Sequence, residues 1–492
     1  MQQKWLVLSA VACGTFMATL DSSIVNVALP SITSSFHTGI TQSRWVVIAY
    51  LLSITGLLLF FGRLADVIGR KFVFNFGFII FTLGSGFCGL AANIGQLIGF
   101  RVLQGVGAAM IMANGPAIIT AAFPQTERGK ALGTLAMVVS AGLAIGPSIG
   151  GALVRLFSWP SVFFVNIPFG ILGCILVYKN VPLALGMHVT KEILEREKAL
   201  PVFVRIQECI RKLQSFDWVG ALLWLFVQFG YSLALDQENV LGLAGPLQRM
   251  ISFASIGFFV LFILWEWSVL NPLLELALFK SKSFLFSNIS GFFNFVAISA
   301  VMLLLPFYLQ NIRGFEPHKV GIFMTIIPMT IFVVAPISGR LSDVYGSRFL
   351  STLGMFVLCI SMVLLSSKWC GFQSQSSAGI IFCLILVGLG VGLFQSPNNN
   401  AIMSAVSRAH LGVASALLAT VRNLGLVTGA ALSTSLLTYF YGNPVLGDSI
   451  RNMTSPVENF IQAMNTTFLV LALVCSTAIF TCLIGNSHEH KS

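Results

Sequence analysis

Long apolar runs recur from one end of this 492-residue chain to the other, and they dictate its fold class. A helix needs about 20 apolar residues to cross a bilayer's hydrocarbon core of roughly 30 Å. The runs are continuous rather than alternating, which argues for helices and against a membrane β-barrel. Charged residues make up 9% of the chain, where a soluble domain carries roughly 25%. The pattern predicts an all-α integral membrane protein with spans at about 5–29, 44–61, 73–92, 96–118, 131–153, 160–178, 218–236, 250–268, 284–308, 320–338, 349–367, 377–397, 411–438 and 465–485. The first run is too long for a signal peptide, contains an acid and precedes no small-residue cleavage site, so it reads as a retained span.

The net charge of +11 invites a nucleic-acid reading, but the placement of the charges removes it. With the N-terminus inside, nineteen of the 28 lysines and arginines fall in cytoplasmic segments and seven in outer ones, leaving Arg101 and Arg422 within helices. The positive-inside rule then predicts a multi-pass protein of the plasma membrane (the inner membrane in a Gram-negative cell), with both termini cytoplasmic. Nine cysteines lie mostly in helices and show no metal-ligand spacing, so they read as small buried hydrophobes rather than a metal site. No nucleotide-binding glycine loop and no nucleophile–base set stands out, so neither an enzyme nor a cofactor is expected. The six histidines fall in loops or tails and make no proton relay. A channel is the remaining rival, since charged residues can line a pore.

The chain repeats itself. Gly62-Arg63-Leu64-Ala65-Asp66-Val67-Ile68-Gly69-Arg70-Lys71 follows helix 2, and Gly339-Arg340-Leu341-Ser342-Asp343-Val344-Tyr345-Gly346-Ser347-Arg348 follows helix 10. A duplicated six-helix bundle explains both copies as tight cytoplasmic turns. The expected organisation is an N-terminal bundle over 1–180, a cytoplasmic linker over 181–217, an inserted two-helix hairpin with its connecting loop over 218–283, and a C-terminal bundle and tail over 284–492. Within the linker, Lys191 to Lys212 reads either as an amphipathic helix on the inner leaflet or as a plain solvated connector. Two homologous bundles are the architecture of alternating access, with the cargo site between them.

Three sets of residues carry chemistry. Asp21 is the one acid placed firmly within the predicted hydrocarbon zone, where a charge is costly and is presumed functional. Arg101 in helix 4 faces the same cost, and Gln104 lies three residues on, on the same helix face. At 1.5 Å per residue, Asp21 lies about 24 Å above the inner boundary and Arg101 about 8 Å below the outer one, so both sit at similar depth. Helix 5 carries Gly142-Leu143-Ala144-Ile145-Gly146-Pro147-Ser148-Ile149-Gly150-Gly151, a close-packing glycine face with a proline that removes a backbone donor. In the repeated loop, Asp66 and Arg70 can pair with each other or with a helix end, and glycines such as Gly62 and Gly69 permit a tight turn.

Together these residues resemble the major facilitator superfamily, specifically its fourteen-span drug:proton antiporter branch. Trp159 to Gly170, Phe216-Asp217-Trp218 and Arg422-Asn423-Leu424-Gly425 resemble it as well. The resemblance implies two pseudo-symmetric six-helix bundles plus an inserted hairpin, a small-molecule substrate, protons as the driving ion, no metal or cofactor, and a working monomer. It implies proton coupling at Asp21, Arg101 and Gln104, with helices 1 and 4 as neighbours. It implies conformational gating at Gly62, Asp66, Gly69, Arg70, Asp343 and the helix 5 residues Gly142, Gly146, Pro147, Gly150 and Gly151. Asp21 then takes up a proton outside and releases it inside as cargo is loaded; the plainer reading is that it only pins helix 1 to helix 4. Candidate cargo contacts are Asn26, Phe292, Gln310, Asn399 and Arg422. For Phe292, core packing is the default, and Arg422 is equally readable as a structural arginine. Export of amphipathic molecules is the expected function, with a proton symporter or an exporter of one endogenous metabolite as the alternative.

Overall fold

A computed structural model describes residues 2–38, 40–182, 216–234, 245–270, 272–367, 377–441 and 457–485. Most of the expected linker, including Lys191 to Lys212, lies outside the described residues, as do His188, Cys209, Cys370, His488 and His490. The described chain is helical, with no strand. Its main helices are α1 (Gln2–Ser35), α2 (Ile40–Ile68), α3 (Arg70–Gly89), α4 (Ile94–Ala122), α5 (Arg128–Phe157), α6 (Asn166–Asn180), α7 (Trp218–Ala234), α8 (Gly245–Ser268), α9 (Lys282–Phe307), α10 (Pro317–Tyr345), α11 (Ser347–Leu365), α12 (Ser377–Ser404), α13 (Leu411–Tyr441) and α14 (Val457–Gly485). Among the described residues thirteen candidate spans are long and apolar enough to cross a membrane, and α7 supplies a shorter apolar helix over Trp218–Tyr231.

The helices outrun their apolar stretches. Hydropathy marks the part matched to lipid, whereas backbone hydrogen bonding continues into polar surroundings until a residue breaks it. α2 therefore continues through Gly62 to Ile68, and the break is the single residue Gly69, at φ 109°. The second copy breaks in the same way at Gly346, φ 82°, between α10 and α11. A side chain is strained at both positions, so each repeat needs its glycine. The expected ten-residue turn is thus one residue long, and Gly62 and Gly339 lie inside helices.

α3 shows how one apolar helix serves two environments. Val73, Phe74, Gly77, Phe78, Phe81, Gly84, Ser85 and Cys88 are buried. Phe72, Phe76, Ile79, Leu83 and Phe87 form an exposed stripe on another face, as expected for a helix that meets lipid.

The chain divides into two compact units. The first comprises Met1–Gln125, Ile145–Lys280 and Met403–Thr420; the second comprises Thr126–Ala144, Ser281–Ile402 and Val421–Ser492. α5 and α13 each contribute residues to both. The same close crossing occurs once in each unit. In the first, a Cβ on Gly107 of α4 would lie 2.8 Å from Gly77 O of α3. In the second, a Cβ on Gly390 of α12 would lie 2.9 Å from Gly354 O of α11. Only glycines let two backbones approach this closely. In the first unit α7 packs on α8 and docks on α2, where Phe60 meets the rings of Phe216 at 5.1 Å and Trp218 at 5.7 Å.

Candidate functional site

In the first unit five helices converge on Asp21. It projects from α1, Tyr50 and the carbonyl of Val46 come from α2, Ser85 from α3, Arg101 and Gln104 from α4, and Asn166 from the first turn of α6. Asp21, Arg101, Gln104, Ser85, Tyr50 and Asn166 are all fully buried. Arg101 Nη1 donates to Asp21 Oδ2 at 2.6 Å and to Gln104 Oε1 at 2.6 Å. Asp21 Oδ1 accepts from Gln104 Nε2 at 2.9 Å and from Asn166 Nδ2 at 2.8 Å. The two amides also donate to Ser85 Oγ, at 2.5 Å and 3.2 Å. Arg101 Nε donates to Val46 O at 2.9 Å, and the guanidinium carbon stands 4.0 Å from the centre of the Tyr50 ring. Arg101 Nη2 and Asn166 Oδ1 are buried with no hydrogen-bond partner among the described residues, a costly state for polar atoms.

Three members of the network, Asn166, Ser85 and Tyr50, lie outside the residues that the sequence points to. Asn166 carries a usable signal, since it is a polar residue flanked by Val165 and Ile167 within the Trp159 to Gly170 run that resembles the family. Ser85 sits in an ordinary Gly-Ser-Gly stretch and Tyr50 among apolar residues, so neither offered a local cue.

The α5 glycines pack on α1 just beyond the acid. A Cβ on Gly146 would collide with Ser23 Oγ, and one on Gly150 would lie 2.8 Å from Ile24 Cγ1. Gly151 is looser, 4.0 Å from Val27 Cγ1, and Pro147 is exposed. Gly142 is buried in the stretch of α5 that belongs to the second unit; the division falls between Ala144 and Ile145, inside the glycine motif.

Each repeat acid caps a helix N-terminus. Asp66 accepts from the backbone N–H of Gly412 and of Val413, both at 3.0 Å, at the start of α13. Arg70 donates to Asp66 at 2.7 Å and to Arg408 O at 2.7 Å. Gly62 is the contact point, since a Cβ there would lie 2.6 Å from Gly412 O. In the second unit Asp343 accepts from Gly129 N at 2.8 Å and Lys130 N at 3.0 Å, at the start of α5. A carboxylate suits such a site because a helix start presents free N–H donors and a partial positive charge.

The candidate cargo residues fall in both units. Asn26 is exposed on α1, and Gln310 is exposed in the π turn Tyr308–Ile312. Phe292 of α9, Asn399 of α12 and Arg422 of α13 are half-buried in the second unit. Their helices meet: Asn398 Nδ2 donates to Ser287 O at 3.1 Å, and a Cβ on Gly425 would lie 2.7 Å from Phe292 O. Arg422 forms no hydrogen bond or ion pair among the described residues.

The sequence model of the Major Facilitator Superfamily matches residues 11–275 and 288–492. The chain belongs to the major facilitator superfamily. Its fold is accordingly that of this family, two pseudo-symmetric six-helix bundles with an inserted hairpin, in a multi-pass membrane transporter. The riboflavin transporter RibZ of Clostridioides difficile (strain 630) is 34% identical over 493 residues, covering 100% of both chains. The multidrug resistance protein Stp of Mycobacterium tuberculosis (strain ATCC 25618 / H37Rv) is 30% identical over 93% of this chain and 80% of its own length. The multidrug transporter protein MdtP of Bacillus subtilis (strain 168) is 28% identical over 90% and 76%. Among solved structures, the human organic anion transporter MFSD10 aligns over 98% of this chain and 100% of its own, with a TM-score of 0.66 at 12% identity. The proton:xylose symporter XylE aligns with a TM-score of 0.65 at 12% identity, over 97% of this chain and 94% of its own. These superfamily structures speak to the fold alone.

Proposed function

We propose that this chain is a proton-driven antiporter of the plasma membrane, with cytoplasmic termini, that exports small amphipathic molecules by alternating access as a monomer. Residues 1–180 and 284–492 are read as the rocking bundles. The observation that carries the proposal is the Asp21 network. Every partner of the carboxyl is a donor: one guanidinium N–H and two amide N–H groups. An ionised carboxylate only accepts, so it fits; a protonated one presents an O–H to donors. Protonation removes the charge that these three donors complement and so weakens the contacts to α4 and α6. α1 is also the surface on which Gly146 and Gly150 of α5 rest, so a shift of α1 is felt by a helix that begins in the second unit. Asp21 is sealed from solvent in this conformation, and the proposal requires a second one in which the network opens. Asp66 with Arg70, and Asp343, hold helix starts that separate when the conformation changes.

The multidrug relatives Stp and MdtP support xenobiotic cargo. Arg422, without a partner among the described residues, favours cargo with an anionic or zwitterionic group. The test is reconstitution into proteoliposomes with a panel of amphipathic dyes and an imposed pH gradient. Wild type should move dye against its gradient, and Asp21→Asn should lose gradient-driven transport at least tenfold while retaining dye binding. Undiminished proton-driven transport by Asp21→Asn ends the proposal. The riboflavin transporter, similar over the full length, supports a second reading in which one vitamin-like metabolite is the cargo. Riboflavin that blocks dye movement, or is itself carried in preference to the panel, selects that reading.

A further inference from the structure

The α7–α8 hairpin holds two acids that the transport reading does not use. Asp217 stands just ahead of α7, and Glu266 lies near the end of α8; they are 7% and 4% exposed. Each satisfies one oxygen. Asp217 Oδ1 accepts from Gly220 N at 2.8 Å and Trp265 Nε1 at 2.9 Å, and Glu266 Oε2 accepts from Leu274 N at 3.0 Å. The other two oxygens, Asp217 Oδ2 and Glu266 Oε1, are buried with no hydrogen-bond partner among the described residues. Both are aimed at one place: a Cβ on Gly220 would strike Asp217 Oδ2 and lie 2.7 Å from Glu266 Oε1. Besides Asp217, the charged group within electrostatic reach of Glu266 among the described residues is Arg63 of α2, and no salt bridge among them joins it to either acid.

Two ionised carboxylates in this arrangement would leave two buried like charges and two unused acceptors. Like charges at a shared site disfavour each other, which favours the neutral form of one carboxyl. A proton on one oxygen removes one charge and turns a spare acceptor into a donor for the other. A hard metal cation fits poorly, because calcium takes 6–8 oxygen ligands and two are free here. No cluster of three metal-ligating side chains occurs among the described residues.

We propose that Asp217 and Glu266 form a proton-sharing acid pair, a protonation site separate from Asp21 that ties the start of α7 to the end of α8. Gly220 makes the room for it. Loss of the shared proton sets the two carboxylates against each other and loosens the hairpin. The hairpin rests on α2 through Phe60 and through Gly56, whose Cβ would lie 2.9 Å from Leu225 Cδ2. α2 in turn carries Gly62 and Asp66, so the state of the pair reaches the helix that holds the α13 cap.

The test is infrared difference spectroscopy of the full-length protein in lipid nanodiscs at neutral pH. The expected result is a protonated-carboxyl band that disappears in Glu266→Gln and in Asp217→Asn and persists in Asp21→Asn. A wild-type spectrum without that band, or a band that both hairpin substitutions leave unchanged, overturns the proposal. A second readout is the thermal midpoint against pH. The folded pair keeps a proton that unfolded carboxylates release, so above the ordinary carboxylate range the pair's contribution to stability falls as pH rises, by up to about tenfold in the folding constant per pH unit. Glu266→Gln flattens that slope. A midpoint raised by calcium or sodium in wild type and not in Glu266→Gln overturns the proposal in favour of a cation site.

Discussion

The two units solve one packing problem with opposite chemistry. Both cross a glycine of one helix against a glycine of its neighbour, Gly77 with Gly107 and Gly354 with Gly390. Carrying the Gly77–Gly354 register along α11 puts Met362 in the place of Ser85. Carrying the Gly107–Gly390 register along α12 puts Leu384 and Val387 in the places of Arg101 and Gln104. All three are fully buried and belong to one apolar cluster. The scaffold therefore does not require the buried charges, since the second unit fills the same crossing with hydrocarbon. A buried ion pair often stabilises no better than well-packed apolar residues. The proton-coupling role proposed for Asp21 accounts for its presence in the first unit.

The largest expected effect tests that difference directly. Arg101→Leu copies the second unit's choice but leaves Asp21 charged and unpaired in the interior, which costs about 3–5 kcal/mol. Unfolding in detergent should show this loss, and proton-driven dye transport should vanish. The double variant Asp21→Leu, Arg101→Leu should regain most of the stability and none of the transport. A single variant as stable as wild type would show that the two fillings are interchangeable.

The helix caps sharpen the comparison at the next level. Asp66 holds both the α13 start and Arg70, whereas Ser347 stands where the second copy would have that arginine. Asp66→Ala strands a buried guanidinium as well as two N–H groups and should cost about 3 kcal/mol. Asp343→Ala loses only the cap and should cost about 1–2 kcal/mol. Equal losses, measured side by side, would mean that Arg70 contributes nothing beyond the cap.

Smaller effects are expected at the glycine contacts. Gly146→Ala forces a methyl into Ser23 and should cost about 1–3 kcal/mol, partly relieved by Ser23→Ala. Gly107→Ala and Gly390→Ala should lose similar amounts, because their crossings match. A much larger loss at Gly107 would mean that the polar network depends on that approach and the apolar one does not.

Much of this was legible in the residues. The apolar runs marked the spans, the repeated Gly-Arg-Leu-x-Asp-Val-x-Gly segment marked the duplication, and Asp21 and Arg101 stood out as charges in lipid. The cap on α13 was not legible, because Asp66 and Gly412 are far apart in sequence and Gly412 has no side chain to advertise the contact. Asn166 and Ser85 were missed because a lone amide or hydroxyl in a helix ordinarily bonds its own backbone, as Thr82 does with Phe78 O at 2.6 Å. The free oxygens of Asp217 and Glu266 were hidden for a related reason: sequence shows two acids at helix ends and not whether they face water or each other.

Hydropathy is a property of each stretch of chain against lipid, so the sequence by itself determined that this protein is helical, membrane-spanning and duplicated. Hydrogen-bond partnership depends on which helices cross, and at what residue. The tertiary structure alone decided that Asp21 meets three donors from two other helices, that the repeat acids cap α13 and α5, and that one crossing is polar while its counterpart is apolar.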